Sequence, residues 1–152
     1  NIETMARLFE LKNIVGVKDA TGDLNRVDSQ LKVLGKKFIQ LTGEDNNALE
    51  FNNRGGVGCI SVTANVAAKL CSEFQNSMLL NNNQKIENRI IEINKMLAPL
   101  HKALFIESNP SPVKYAASLL NLSLADVRLP LVRVTNGTKN EIQKALKVAK
   151  LL

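Results

Sequence analysis

The N-terminal half of the chain alternates between short apolar runs and stretches in which apolar residues recur every three or four positions. Each run ends in polar residues: NIVGVK, KFIQLTGED and VGCISVTAN. Such runs predict buried strands, and the period that follows predicts amphipathic helices. A helical pattern follows the first run, with apolar residues at Leu24, Val27, Leu31 and Leu34. It ends at Gly35. Repeated strand-helix units indicate an α/β fold with parallel strands and right-handed crossovers.

The second half of the chain shows only helical patterns. One apolar seam has the spacing 4-3-4-3-4 and consists of Ile86, Ile90, Ile93, Leu97, Leu100 and Leu104. A further helix is expected to start near Pro112, and a last one at Thr138, which is spaced from Glu141 as in a capping box. We therefore predict two domains: residues 1–82 with three βα units, and residues 83–152 as a small helical domain.

The composition supports this fold class. Of the 152 residues, 45% are hydrophobic but only 4% are aromatic, with no tryptophan, so the core is aliphatic, as suits helices packed on a parallel sheet. No apolar run approaches the ~20 residues that span a bilayer, and the start NIETMARLFE has neither the basic leader nor the apolar stretch of a signal peptide. We expect a cytoplasmic protein without a membrane partner.

The net charge of +6 raises the question of a nucleic-acid partner. The lysines are scattered through helix patterns, with no arginine cluster and no interleaved aromatic residues, so we expect none. Cys59 and Cys71 lack C-x-x-C spacing and clustered histidines, which favours reduced, buried thiols over a disulfide or a metal site.

Lys18 is the first candidate for chemistry, because it ends the first predicted strand. In barrel enzymes the C-terminal ends of strands carry the active site. A lysine that attacks a carbonyl must be neutral, which requires desolvation or a neighbouring cation, and strand burial is expected to supply the desolvation. The alternative is an ordinary solvated lysine at a strand end.

The other predicted strand ends also carry groups suited to a site. Gly43 permits a ligand to approach the backbone, and Ser61, Thr63 and Asn65 offer hydrogen bonds. The alternatives are a turn glycine and helix caps, and a cap is the expected role of Asn65.

Five other side chains have residue types that could serve a site. The strand-end carboxylates Asp19, Glu44 and Asp45 either shape the pocket or cap helices, whereas His101 and Tyr115 are expected to have structural roles on helices.

Three segments together resemble the dihydrodipicolinate synthase family of class I pyruvate-dependent aldolases: NIVGVKDATGDLNRV, GGVGCISVTANVAA and FIESNPSPVKYA. They occur in family-like order across the chain. The family motif G-[IV]-K-[DE]-A-[TS]-G places its imine-forming lysine at Lys18. The resemblance further implies that the backbone carbonyl of Ile60 lies beside this lysine and that Gly43 lines the pyruvate pocket. The segment ISVTAN favours the synthase over N-acetylneuraminate lyase.

The resemblance implies a lyase of lysine (diaminopimelate) biosynthesis. Lys18 would condense with pyruvate, and the resulting enamine would attack aspartate semialdehyde. No metal or organic cofactor is expected, because the protonated imine is itself the electron sink. The family is commonly oligomeric, so a homo-oligomer is expected.

The resemblance covers only the last half of the family's length, because a TIM (β/α)8 barrel needs ~250 residues. We therefore interpret the chain as the last three βα units of such a barrel plus a C-terminal helical domain, with the missing N-terminal half as a required partner. The family's carboxylate-binding segment and proton-relay residues lie in that half, so the chain alone is expected to be inactive. The alternatives are a non-catalytic remnant or association module of the same fold, and another pyruvate aldolase such as N-acetylneuraminate lyase.

Overall fold

The computed structural model of the protein describes residues 1–80 and 82–152. The chain divides into two compact units, 1–61 and 62–152, which are described separately. Within the described residues, no helix combines the length and the apolar character that crossing a membrane requires.

The first unit alternates helices and short strands. Its elements are α1 (Ile2–Phe9), β1 (Gly16–Asp19), α2 (Asn25–Leu34), β2 (Ile39–Thr42), a 3₁₀ helix (Asp45–Asn47) and α3 (Ala48–Asn53). The predicted end of α2 is confirmed, because Gly35 follows it with φ 74°, a left-handed conformation that glycine adopts without strain. The small hydrophobic core of this unit contains the buried residues Val27, Phe38, Ala48 and Phe51.

The sheet pairs β1 with β2 in parallel, with Gly16 opposite Ile39. The prediction of a full third strand over VGCISVTAN is wrong. This stretch forms only a single parallel bridge, between Cys59 and Thr42. Backbone hydrogen bonds flank the bridge, from Thr42 N to the Gly58 carbonyl at 3.0 Å and from Ile60 N to the Thr42 carbonyl at 2.8 Å. The paired stretch is short because the chain soon turns into the next helix. We call residues 57–61 the third segment.

The two faces of this sheet differ in burial. Side chains alternate across a strand, and the face toward the helices carries the buried polar residues Asp19, Gln40 and Thr42. The opposite side, which we call the open face, carries Lys18, Ile39 and Ile60, all of them exposed.

The second unit consists of helices: α4 (Ala64–Leu79), α5 (Gln84–Ala103), α6 (Ser111–Leu119) and α7 (Asn136–Val148). The predicted seam of α5 is confirmed at its core, where Ile93 and Leu100 have no exposed surface. The capping box predicted at Thr138 is wrong. α7 begins earlier, and Thr135 is the N-cap, whose side chain accepts from Thr138 N. The domain boundary predicted between residues 82 and 83 stays a prediction.

Candidate active site

Lys18 is the third residue of β1 and lies opposite Leu41 of β2. Its side chain is exposed, so the expectation that strand burial desolvates this amine is wrong for the chain as it stands. The reason is that Lys18 stands on the open face, where Ile39 and Ile60 are also 42% and 50% exposed.

Gly43 lies directly against the Lys18 side chain. Its N–H donates to the Asp19 carbonyl at 2.7 Å, which fixes the residue after β2 to the end of β1. A Cβ atom placed on Gly43 would be 2.8 Å from Lys18 Cε and 2.6 Å from Ala20 Cβ. Only glycine leaves room for the lysine here, so the structure brings these two predicted site residues together.

Ile60 lies near the end of the third segment, one residue before Ser61. Its N–H donates to the carbonyl of Thr42, the residue that precedes Gly43. Lys18, Gly43 and Ile60 therefore lie at the C-terminal ends of three neighbouring parallel segments, the edge where parallel sheets place their ligands. The role of the Ile60 carbonyl toward Lys18 stays a prediction.

Asp19 ties the end of β1 to α2 rather than facing the lysine. It is 8% exposed, and its carboxylate accepts hydrogen bonds from Thr21 N at 2.9 Å, Thr21 Oγ1 at 2.6 Å, Arg26 Nε at 2.7 Å and Gln30 Nε2 at 3.2 Å. Burial raises the pKa of this carboxyl, but the hydrogen bonds from Arg26, Thr21 and Gln30 outweigh it and lower the pKa to about 2. Asp19 is therefore ionised, and it fixes the end of β1 to α2 on the face of the sheet opposite Lys18.

A second polar network holds the loop after β2. Thr42 is fully buried; its hydroxyl donates to Asn47 Oδ1 at 2.8 Å and accepts from Glu44 N at 3.0 Å.

Asp45 accepts hydrogen bonds from the Ser61 hydroxyl and, at 3.9 Å, from Cys59 Sγ. Sequence reasoning named Asp45 as a pocket or capping residue but missed Thr42, whose signal is a hydroxyl on the buried face of a strand next to a glycine.

The remaining polar candidates lie in the second unit. Thr63 Oγ1 and His101 Nδ1 are 2.8 Å apart and both side chains are buried, which agrees with a structural role for His101. The cap predicted for Asn65 is wrong, because this residue lies inside α4 and its amide donates to the Val62 carbonyl. Tyr115 accepts from Gln143 Nε2 at 3.0 Å, joining α6 to α7 as expected of a packing residue.

Comparison with known proteins shows the family of the chain. Residues 1–149 match the family model described as Dihydrodipicolinate synthetase family. The chain belongs to this family. It is 63% identical over 153 residues to the 4-hydroxy-tetrahydrodipicolinate synthase of Pelagibacter ubique (strain HTCC1062), with 100% of this chain and 52% of that protein covered.

Solved structures of family members agree with the fold. The 4-hydroxy-tetrahydrodipicolinate synthase from Methylacidiphilum fumariolicum SolV matches with a TM-score of 0.90 and 32% identity, over 99% of this chain and 49% of that one. The chloride-inhibited dihydrodipicolinate synthase from Acinetobacter baumannii, complexed with pyruvate, matches with a TM-score of 0.89 and 38% identity, over 100% of this chain and 51% of that one. The family and the TIM-barrel fold class predicted from the sequence are confirmed.

The chain spans about half the length of the curated relatives it matches. A suitable host for measurements is therefore a chimera in which residues 1–152 replace the matched half of the Pelagibacter ubique family member. We call this protein the parent chimera.

Removing the Asp19 charge should destabilise the parent chimera in a pH-dependent way. The lowered pKa means that the ionised form stabilises the fold above the unfolded value of 3.8, and that this contribution is lost as the pH falls toward about 2. We expect Asp19→Asn to reduce the free energy of unfolding by about 2 kcal/mol at neutral pH. The deficit should shrink on acidification, as measured by denaturant unfolding at several pH values.

Asp28→Asn is the matched control for this measurement. Asp28 also pairs with an arginine, Arg54, but its side chain is 56% exposed, and exposed pairs contribute little. A deficit for Asp19→Asn that stays constant across the acid range, or that Asp28→Asn reproduces, would contradict the role assigned to Asp19.

Proposed function

We propose that the chain is the lysine-bearing part of a 4-hydroxy-tetrahydrodipicolinate synthase, a lyase of lysine (diaminopimelate) biosynthesis that condenses pyruvate with aspartate semialdehyde. The observation that carries the proposal is the position of Lys18 at a strand end, with Gly43 packed against its side chain. The 63% identity to the Pelagibacter ubique synthase supports it.

In the proposed reaction the neutral amine of Lys18 attacks the ketone carbon of pyruvate, and water leaves to form an imine. The protonated imine withdraws electrons, so the methyl group loses a proton and an enamine forms. The enamine carbon then bonds to the aldehyde carbon of aspartate semialdehyde, whose oxygen takes a proton. The amino group of the product displaces Lys18 by transimination, which closes the ring and regenerates the free amine.

The geometry suggests what each neighbour contributes. Gly43 lets Lys18 Cε lie close against the backbone after β2, which would hold the amine at the edge where the substrate binds. The Ile60 carbonyl, at the end of the adjacent segment, would accept a hydrogen bond near the reacting carbon. We propose that the remaining barrel strands cover the open face and supply the desolvation that the exposed Lys18 lacks here. The complete enzyme is proposed to be a homo-oligomer.

The parent chimera tests this function directly. We expect it to consume pyruvate and aspartate semialdehyde together and to leave N-acetylneuraminate uncleaved. Cleavage of N-acetylneuraminate in place of condensation would assign the site to the lyase alternative. A chimera that folds, as judged by circular dichroism and a cooperative thermal transition, yet turns over neither substrate set would support the non-catalytic alternative.

Residues 1–152 purified alone should associate or partly unfold and show no synthase activity. Among the described residues β1 is paired on one side only, which leaves backbone groups of an edge strand unpaired. The open face exposes Ile39 and Ile60, and burying such a side chain is worth ~1.5–3 kcal/mol, a large part of a domain's ~5–15 kcal/mol of stability.

Light scattering and a coupled assay on the isolated chain check this prediction, with the parent chimera as the control. A stable monomer at micromolar concentration would contradict the structural part of the prediction. Turnover comparable to that of the parent chimera would contradict the catalytic part.

A further inference from the structure

Asp45 joins the two segments that carry the predicted pyruvate-binding residues. It begins the 3₁₀ helix two positions after Gly43 and is 6% exposed. Its carboxylate accepts hydrogen bonds from the Ser61 hydroxyl and from Cys59 Sγ, both on the third segment. One buried side chain thus accepts from two residues of the third segment, so it links the loop after β2 to that segment.

The peptide group between Ile60 and Ser61 is held by a hydrogen bond on each side. The Ile60 carbonyl belongs to the peptide that joins Ile60 to Ser61. Before it, Ile60 N donates to the Thr42 carbonyl at 2.8 Å; after it, the Ser61 hydroxyl is held by Asp45. The direction of the Ile60 carbonyl is therefore set by a backbone bond on one side and by the Asp45 carboxylate on the other.

The same loop is fixed relative to Lys18. Gly43 N donates to the Asp19 carbonyl, which ties the loop to the end of β1. A shift of Asp45 would consequently be transmitted to the Ile60 peptide through Ser61, while the loop stays attached to β1. Neither Asp45 nor Ser61 needs to touch the substrate for this effect.

We propose that Asp45 is a positioning residue that holds the Ile60 carbonyl and Gly43 in the arrangement needed to bind pyruvate at Lys18. The inference rests on the proposed function and deepens it. If Asp45 had a purely structural role, replacing it would lower the stability of the protein and would affect pyruvate and aspartate semialdehyde equally. A positioning role predicts a selective effect on pyruvate.

Three variants of the parent chimera separate these roles. Asp45→Ala removes the acceptor, Ser61→Ala removes one donor with a smaller disturbance, and Asp45→Asn keeps an oxygen that can accept from Ser61. For both alanine variants we expect KM for pyruvate to rise about tenfold and the trapping of pyruvate by borohydride to slow, since small misplacements of binding groups have effects of this size. KM for aspartate semialdehyde should stay near the parent value, and Asp45→Asn should recover most of the loss.

Asp28→Ala is the control, because it removes an exposed, ion-paired carboxylate elsewhere in the first unit. The outcomes are distinguishable. If the parent chimera itself traps no pyruvate at Lys18, the proposed function fails and this inference falls with it. If the parent is labelled but Asp45→Ala and Ser61→Ala bind and trap pyruvate as the parent does, or raise both KM values equally, the positioning role alone is overturned. If Asp45→Ala does not fold, Ser61→Ala and Asp45→Asn decide the question.

Discussion

Replacing Lys18 with arginine should reduce synthase turnover of the parent chimera by about three orders of magnitude or more, the size typical of removing a covalent nucleophile. Arginine keeps the positive charge and a similar length, but its guanidinium stays protonated and cannot form an imine. The position of Lys18 beside Gly43 at the strand end makes it the proposed nucleophile. Steady-state assays with pyruvate and aspartate semialdehyde measure the effect.

Lys32→Arg is the matched control for this substitution. Lys32 is an exposed residue in the last turn of α2, so the same chemical change there should leave turnover unaltered. Turnover by Lys18→Arg within tenfold of the parent would contradict the assignment, because an arginine at position 18 cannot form the imine.

Replacing Gly43 with alanine should have the second largest effect. The new Cβ would stand 2.6 Å from Ala20 Cβ and 2.8 Å from Lys18 Cε, and the hydrogen bond from Gly43 N to the Asp19 carbonyl restrains the backbone from moving away. Lys18 must therefore shift. We expect a loss of about a hundredfold in kcat/KM and, from overpacking, about 1–3 kcal/mol in the free energy of unfolding.

Gly137→Ala is the control for the effect of alanine itself. Gly137 lies in α7, and the nearest atom that its Cβ would meet is Thr135 Oγ1, 3.9 Å away. There alanine should be neutral or stabilising by up to about 1 kcal/mol. Adding Ala20→Gly to Gly43→Ala should recover part of the stability by removing the closest contact, but less of the activity, because the contact with Lys18 Cε persists. Parent-like activity for Gly43→Ala would contradict the close approach of Gly43 to the lysine.

The elements with a strong local signal could be predicted from the sequence. β1, β2 and α2 follow from apolar periodicity, and the end of α2 follows from Gly35, because these features depend on neighbouring residues. The third segment could not be predicted as a single bridge, since the length of a paired strand depends on which neighbours it meets in space. The first turn of α7 differs from the prediction because Thr135, three residues before Thr138, caps the helix, and the position of a helix end is weakly determined by local sequence.

The proximity of Lys18 to Gly43 was predictable because the C-terminal ends of parallel strands share one edge of a sheet. The networks behind them were not. The hydrogen bond between Ser61 and Asp45 joins positions 16 apart, and that between Thr63 and His101 joins positions 38 apart, so each depends on tertiary packing. The exposure of Lys18 was missed for a related reason: desolvation depends on what covers the open face, which strand composition does not reveal.

The location of the covalent adduct in the parent chimera shows directly whether Lys18 forms the imine. The protein is incubated with pyruvate, reduced with borohydride, digested and analysed by mass spectrometry. We predict one pyruvate-derived modification, on the peptide that contains Lys18, and none in the Lys18→Arg variant. A modification on another lysine, or labelling that persists in Lys18→Arg, would contradict the proposal that Lys18 forms the imine.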